Sequence, residues 1–467
     1  QSRRLNEGIP GCPKVELGNS RDYFEKLEQK VANNNKLPKW VGELYLEYHR
    51  GTYTSMAKNK KYNRKSEFLY QDVELFKALE QNLIANNNYP QEKINDGWET
   101  ILLNQFHDII PGTSIKPVYE DSHKQYEKVI ENGENLLNNA FDNIANNINL
   151  KETAIVVFNQ LDFNRSDLVE CELPDGFKNI EIRDKQGNLM ASQIIEDKEG
   201  KEKLLFFAED IPPKGYKTFS IKKGIDKISE SSIKIAKDKL SNQFFDIKFD
   251  EQANIESIYD KKNQREVLQS GAKANQLQAF EDKALLWDAW DTHLFYQEKS
   301  WNVNNVQSTE IVENGAVRAT LKIVREFMDS TIEQYIHIYN HLPRIDISNR
   351  IDWQEKQMLL KVAFPVDIHS NKATYEIQYG NVERSTHWNT SWDKAKFEVV
   401  GHKWVDLSED NYGVSLLNDC KYGHDIKDQV MRLTLIKSAI RPNEDADRGL
   451  HEFVYSLYPH QGDWKEG

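Results

Sequence analysis

Apolar residues in the first 150 positions recur every three or four residues, which is the spacing of amphipathic helices that bury one face. Asparagine clusters and prolines interrupt this pattern and mark the helix ends. Because short polar loops join the helices, an antiparallel three-helix bundle is expected. The three helices are predicted from the N-cap Ser20 to Asn33, from about Asn63 to Ala85, and from Pro90 to His107.

A longer amphipathic helix follows Thr113 and Ser114 and is expected to lead out of the bundle. From Ala154 onward the pattern changes to short runs in which apolar and polar positions alternate. Turn sequences such as Pro174-Asp175-Gly176 and Asn314-Gly315 separate these runs. Their density predicts one small and one large antiparallel sandwich. Strands are expected at Ala154–Phe158, Gly215–Lys222, Phe244–Phe249, Val317–Phe327, Gln334–Tyr339 and Arg344–Asp352.

These patterns together predict an α+β multidomain chain, in which a three-helix bundle is followed by antiparallel β-sandwich domains. A length of 467 residues suits about three domains, each with its own core. The expected divisions are a tail (1–17), a three-helix bundle (18–112), a long connecting helix (113–150), a small β-sandwich (151–232) and a large β-sandwich (233–467).

The net charge of -13 opposes binding to a nucleic-acid backbone. The basic run Lys58–Lys65 is too local to reverse that balance, and we expect it to be a solvated helix entry. No stretch approaches the roughly 18 consecutive apolar residues of a membrane-crossing helix, so no membrane partner is expected. Three scattered cysteines without C-x-x-C spacing disfavour a disulfide framework and favour the cytoplasm. The sequence leaves open whether the chain forms a homo-oligomer.

One short segment concentrates candidate chemistry, because His107 and Asp108 lie at the expected end of the third helix, where Pro111 and Gly112 stop it. The pair should therefore face a turn rather than a packed interior. A lone histidine near a helix end is commonly structural, whereas an adjacent carboxylate permits two contacts with one ligand. Both interpretations stay open on the residues alone, since one imidazole and one carboxylate cannot complete a zinc site or a hydrolytic pair.

A second cluster, Gly42–Thr54, alternates acidic and histidine side chains with apolar ones, so an extended chain would present the polar set on one face. A half-exposed strand explains this pattern equally well, although loops carry function more often. The segments Trp287–Asp291 and Trp388–Asp393 combine Trp with Asp as sugar sites do, and buried Trp in a sandwich core is the alternative. The remaining histidines lack metal-binding spacings.

Several of these stretches, in their order and spacing, resemble the α-mannosidases of glycoside hydrolase family 38. The likeness covers nearly the whole chain after about Tyr23. The stretches Gly401–Ser408, Leu417–Gly423 and His451–Trp464 resemble the β-sandwich part of the family's cytosolic, vacuolar and bacterial branch. The resemblance to the family's middle helical domain lies in Glu43-Leu44-Tyr45-Leu46-Glu47, His49-Arg50-Gly51-Thr52-Tyr53-Thr54, Asn63-Arg64-Lys65-Ser66-Glu67, Asn104-Gln105-Phe106-His107-Asp108 and Pro111-Gly112-Thr113.

The resemblance implies a galactose-mutarotase-like supersandwich and a zinc-dependent, retaining α-mannosidase that hydrolyses terminal α-D-mannosides in oligosaccharides. In that family, zinc is held by ligands of an N-terminal α/β domain and by the His of the His-Asp motif, which His107 matches. Asp108 matches the Asp that accepts hydrogen bonds from sugar hydroxyls. His49 and Arg50 match a loop that borders this sugar, and Arg448 matches a loop that reaches toward it from the sandwich.

This chain has no counterpart of the family's N-terminal α/β domain, so the nucleophile and the acid/base carboxylate are absent and no catalytic residue is assigned. Residues 1–17 are interpreted as a tail left from that domain, and the large sandwich as truncated at its end. We therefore expect a fragment that alone neither holds zinc tightly nor hydrolyses mannosides. Two alternatives remain: a natural non-catalytic carbohydrate-binding or scaffold protein that reuses these domains, and a neighbouring glycosidase or lyase class that shares the sandwich.

Overall fold

The computed structural model describes residues 7–84, 89–173, 180–196, 200–224 and 231–467. The turn expected at Pro174-Asp175-Gly176 lies outside these residues. The chain divides into two compact units, Gln1–Tyr45 and Leu46–Gly467.

Helix α1 of the first unit spans Ser20–Val31. Its N-cap is Asn19 rather than the expected Ser20, since the Asn19 side chain accepts the backbone N–H of Arg21 at 2.9 Å. None of its residues is buried. The apolar stripe that we assigned to the bundle core is therefore exposed.

Three helices of the second unit pack as a bundle: α2 (Ala57–Ile84), α3 (Gln91–Asn104) and α4 (Lys116–Asn146). Helix α4, which we expected to lead out of the bundle, supplies its third member. The reason is that periodicity identifies the apolar face of a helix but not the element that covers it. The buried core of the bundle includes Tyr70, Val73, Ile94, Ile101, Tyr126 and Val129.

Helices α2 and α3 approach each other closely at Gly97. The Tyr70 ring lies fully buried against this glycine, and its hydroxyl donates to the Val129 carbonyl at 3.2 Å. A Cβ atom at position 97 would lie 2.0 Å from Cε1 of Tyr70, well inside the van der Waals contact distance of two carbon atoms. Only glycine therefore fits here, although glycine within a helix costs about 1 kcal/mol relative to alanine.

The small sandwich follows α4. In its described residues, strands β1 to β7 are, in chain order, Ala154–Asn159, Arg165–Glu172, Ile180–Arg183, Leu189–Met190, Ser192–Glu196, Glu202–Ile211 and Gly215–Lys223. They form a four-stranded sheet in the order β1-β7-β3-β4 and a three-stranded sheet in the order β2-β6-β5. The core between them includes Ile182, Phe206 and Phe219.

The large β-domain contains strands β8 to β27, which are, in chain order, Lys234–Ile235, Lys239–Ser241, Phe245–Phe249, Ile255–Asp260, Arg265–Glu266, Gln276–Glu281, Ser300–Asn302, Val306–Asn314, Arg318–Phe327, Ser330–Tyr339, Ile345–Trp353, Met358–Pro365, Lys372–Ile377, Gly380–Ser385, Val399–Val400, Trp404–Glu409, Tyr412–Asn418, Gly423–Lys427, Val430–Lys437 and Gly449–Gln461. They form a five-stranded, a six-stranded and a nine-stranded sheet. The orders of these sheets are β12-β11-β10-β9-β8, β14-β13-β19-β26-β25-β22 and β15-β16-β17-β18-β27-β24-β23-β20-β21. A short helix, α5 (Ser391–Ala395), lies between β21 and β22.

The α+β class, with helices first and antiparallel sandwiches after them, is confirmed. The turn expected at Asn314-Gly315 joins β15 to β16, where the Gly315 N–H donates to the Arg318 carbonyl at 3.0 Å. Among the described residues, no helix combines the length and the apolar composition needed to cross a bilayer.

Gly97→Ala is expected to lower the free energy of unfolding by about 1–3 kcal/mol, because the added methyl group overpacks a core in which Tyr70 cannot move. Urea unfolding followed by helical circular dichroism measures this change. Gly133→Ala in α4 is the matched control. Its Cβ would meet the flexible end of Leu69 at 2.7 Å and the Tyr70 ring only at 3.0 Å, so a smaller loss is expected. A stabilised Gly97→Ala variant would contradict the packing argument.

Candidate functional site

The segment after α3 is a turn rather than a helix. Helix α3 ends at Asn104, and the Gln105 side chain donates to Asn63 at 2.9 Å and to Glu67 at 2.8 Å on α2. Gly112 ends this turn at φ +91°, and a Cβ there would lie 2.4 Å from the Ser55 carbonyl oxygen. His107 and Asp108 therefore lie in the turn beyond Asn104, and not at the end of the helix itself, where we expected them.

The side chains of His107 and Asp108 are exposed, at 76% and 42% of their full accessibility. The Nε2 atom of His107 lies 3.4 Å from Oδ2 of Asp108. The imidazole also contacts the Phe106 ring, at 4.2 Å between centroids. Both polar groups are therefore available to a ligand, which agrees with the expectation that the pair faces a turn.

Four chain segments meet beneath this turn, and we call their meeting point the junction: 47–57, 106–119, 287–291 and 439–449. Apolar side chains from all four segments pack against one another at its centre. They are Met56, Tyr119, Ala289, Ala439 and Ala446, with Ile109 and Trp290 packed beside them.

Asp447 connects the large sandwich to the start of α2. Its carboxylate accepts the backbone N–H groups of Met56 at 2.6 Å and of Ala57 at 2.7 Å, which satisfies donors that have no partner within the helix. One turn later, Lys60 donates to the Ile110 carbonyl at 2.9 Å. Burial lowers the pKa of Lys60 to about 7 and raises the pKa of Asp447 to about 6.

The segment 47–53 forms two short 3-10 turns, Glu47–His49 and Gly51–Tyr53, so the extended alternation that we expected is wrong for this part. The Arg50 side chain is buried, donates to the Ala395 carbonyl at 2.9 Å and stacks on the Phe397 ring. Its contacts are those of a structural group, and its role toward a ligand stays a prediction.

His49 is half-buried, and its carbonyl accepts the Thr52 hydroxyl at 2.6 Å. Its buried Nδ1 atom has no hydrogen-bond partner within the described part of the chain. The structure thus leaves one polar atom of His49 unsatisfied, and its role at a sugar site stays a prediction.

In each of the two Trp–Asp segments, one Trp side chain is exposed and one Asp side chain bonds to the protein backbone. Trp287 is 64% exposed, while Asp288 is buried and accepts the Ile440 N–H at 2.6 Å. Trp392 is also 64% exposed, whereas Asp393 forms a capping box at the start of α5. The two aspartates therefore stabilise the fold, whereas the rings of Trp287 and Trp392 offer apolar faces to solvent.

Arg448 lies at the rim of the junction. Its guanidinium is about one-third exposed and donates to Asp445 at 3.1 Å. Asp445 also pairs with Lys116 at the start of α4, at 3.1 Å. An exposed ion pair of this kind contributes little to stability, but it connects the 445–448 segment to the helix that follows the His107 turn.

Two sequence profiles match this chain: the Glycosyl hydrolases family 38 C-terminal domain over residues 240–445 and the Alpha mannosidase middle domain over residues 47–144. The chain belongs to glycosyl hydrolase family 38. The second profile spans the bundle and the His107 turn, and the first covers most of the large sandwich.

Curated relatives extend the match over nearly the whole of this chain. Alpha-mannosidase G of Dictyostelium discoideum is 34% identical over 97% of this chain and 44% of its own length. Alpha-mannosidase 2C1 of Homo sapiens is 32% identical over 98% of this chain and 42% of its own. The chain thus spans less than half the length of these relatives.

A solved structure of an alpha-mannosidase from Enterococcus faecalis V583 has the same fold. The TM-score is 0.80 at 19% sequence identity, and the match covers 99% of this chain and 61% of that one. At this identity, the likeness shows the fold of the bundle and sandwiches.

The described residues contain no group of three or more His, Cys, Asp or Glu side chains that could hold a metal ion. His107 is exposed and can contribute one imidazole ligand, which is a common zinc ligand. The residues therefore fit a zinc site only as one part of it, and further ligands must come from outside the described residues.

Sequence reasoning missed the structural role of two charged residues. The basic run was expected to be solvated, yet Lys60 and Arg64 are 5% and 3% exposed. Arg64 donates to the His402 carbonyl at 2.9 Å and stacks on the Tyr422 ring. The expectation is therefore wrong for these two residues. The available signal was a cluster of charged residues near a predicted helix start. Such a cluster does not identify a partner as distant as His402, which lies 338 residues from Arg64 in the sequence.

His451→Gln is expected to weaken the acid sensitivity of the protein. Burial, together with repulsion by Lys421, lowers the pKa of His451 to about 3, while its Nε2–H donates to the Asp447 carbonyl at 2.7 Å. Between pH 6.5 and 3 the unfolded chain binds a proton that the folded chain refuses, so stability falls as pH falls. One such group contributes about 1.4 kcal/mol per pH unit.

Urea unfolding at several pH values between 4 and 7 measures this slope. The Gln variant keeps a side-chain donor but does not titrate, so its slope near pH 5 should be lower by about 1.4 kcal/mol per pH unit. Identical slopes for His451→Gln and the unmodified protein would contradict the burial argument.

Proposed function

We propose that this chain is the helical and sandwich part of a zinc-dependent, retaining α-mannosidase that hydrolyses terminal α-D-mannosides in oligosaccharides. The nucleophile and the acid/base carboxylate lie outside these 467 residues. The observation that carries the proposal is the exposed His107–Asp108 turn, because two polar side chains are presented to solvent by a backbone fixed at the junction.

Each exposed group has a role that its chemistry suits. The Asp108 carboxylate accepts hydrogen bonds from sugar hydroxyls, as a carboxylate with free lone pairs can. The imidazole of His107 supplies one zinc ligand, and zinc when bound would fix and polarise hydroxyls of the same sugar. Arg448 donates to the sugar from the sandwich side, and the exposed Trp287 ring offers an apolar face.

A second candidate is a non-catalytic carbohydrate-binding or scaffold protein with the same domains. It is favoured by one observation, namely that the described residues hold no complete metal-ligand cluster. The cytoplasmic location and a possible homo-oligomer stay predictions in both cases.

The 467-residue chain alone is expected to show no turnover of an aryl α-mannoside, because it lacks the two carboxyl groups of a glycosidase. The full gene product that contains it should hydrolyse the same substrate, lose activity with a chelator, and release α-mannose first by proton NMR. Turnover by the isolated chain, or inversion of configuration, would contradict the proposal. Sugar binding without turnover by the full product would favour the second candidate.

His107→Ala in the full product is expected to lower zinc affinity and activity by at least tenfold, since one of four ligands is lost. Because the ring is exposed, the free energy of unfolding measured with chelator present should change by only about 0.5 kcal/mol. His369→Ala is the control, as its side chain is 79% exposed and lies outside the junction. Zinc content unaffected by His107→Ala would remove His107 from the metal site.

A further inference from the structure

The carboxylate of Asp108 is held on one side by a buried hydroxyl. Thr113 is 4% exposed, and its Oγ1 donates to Oδ1 of Asp108 at 2.8 Å. The same two residues close the turn through their main chain, where the Thr113 N–H donates to the Asp108 carbonyl at 3.3 Å. A charge-assisted bond from a fixed hydroxyl therefore orients a carboxylate whose other oxygen remains accessible.

The main chain of the turn has separate donors. The Ser114 hydroxyl donates to the Asp108 carbonyl at 2.8 Å, and the Tyr119 hydroxyl lies 3.3 Å from the Asp108 and Ile109 carbonyls. Lys60 donates to the Ile110 carbonyl at 2.9 Å. The backbone would therefore keep its position without the Thr113 hydroxyl, although that hydroxyl also lies 3.2 Å from the Asp108 carbonyl.

An exposed aspartate without such a donor samples several rotamers, and a ligand must then fix one of them at an entropic cost. Because 42% of the Asp108 side chain is exposed, packing alone does not fix its rotamer. With Oδ1 held by Thr113, Oδ2 lies 3.4 Å from Nε2 of His107 and faces the same exposed region. The two ligand-contacting groups are thus oriented relative to each other before a sugar arrives.

We propose that Thr113 is a positioning residue of this site, whose hydroxyl orients the Asp108 carboxylate toward the sugar hydroxyls. The proposal rests on the proposed function for its kinetic consequence. Its structural half, the orientation of the carboxylate, is independent of the reaction.

The test compares two variants of the full gene product. Thr113→Val removes the hydroxyl but keeps the shape, and kcat/KM for an aryl α-mannoside is expected to fall by about tenfold to a hundredfold, as when a bond that orients a ligating side chain is lost. Thr113→Ser restores the donor and should lie within about threefold of the unmodified protein. Equal activity of the Val variant and the unmodified protein would overturn the proposal.

Two controls separate positioning from a general loss of structure. Tyr119→Phe removes a hydroxyl that contacts only the main chain of the turn, and it should not reproduce the kinetic loss. In an Asp108→Ala background, Thr113→Val should cause no further loss, because the group that it orients is gone. A further loss of the same size in that background would assign Thr113 a merely structural role and overturn the proposal.

Crystal structures of Thr113→Val and Thr113→Ser test the orientation of the carboxylate without a measurement of activity. The Asp108 carboxylate is expected to leave its position in Thr113→Val and to keep it in Thr113→Ser. If the unmodified gene product hydrolyses no mannoside, the proposed function fails, and these structures alone decide the positioning role. An unmoved carboxylate in Thr113→Val would overturn it.

Discussion

The arrangement of this protein depends on one carboxylate, that of Asp447, at the first turn of α2. Its two bonds to the Met56 and Ala57 N–H groups are buried, so no water can replace them. Lys60 then carries the connection from α2 to the Ile110 carbonyl. The turn that presents His107 is consequently connected through α2 to a residue of the sandwich as well as to the bundle.

Other contacts across the same boundary have the same character. The Arg64 guanidinium on α2 donates to three carbonyls of the sandwich and stacks on a tyrosine ring there. The Gly51 N–H donates to the Trp290 carbonyl at 2.8 Å. Such bonds are directional, whereas apolar packing is not. The bundle and sandwich therefore meet in one orientation, which is what a site assembled from both domains requires.

The sequence allowed prediction of features with a local cause. The strands near Ala154 and Gly215 follow from alternation, and the exposure of His107 follows from Pro111 and Gly112 after the helix. The third bundle helix and the burial of Lys60 could not be predicted, because they depend on which distant element covers a face. Asp288 illustrates the same limit: its pairing with Trp suggested a sugar site, yet its carboxylate caps a distant backbone N–H.

The spacing between Met56 and Asp447 also bears on how the molecule is made. During translation, Met56 is synthesised 391 residues before Asp447, whose carboxylate accepts the Met56 N–H. Until Asp447 is synthesised, the N–H groups at the start of α2 can bond only to solvent or to a chaperone. Maturation of the His107 region is therefore a late event in synthesis, after β26 and just as β27 appears, and nascent chains that stop short of Asp447 would carry the bundle without its finished edge.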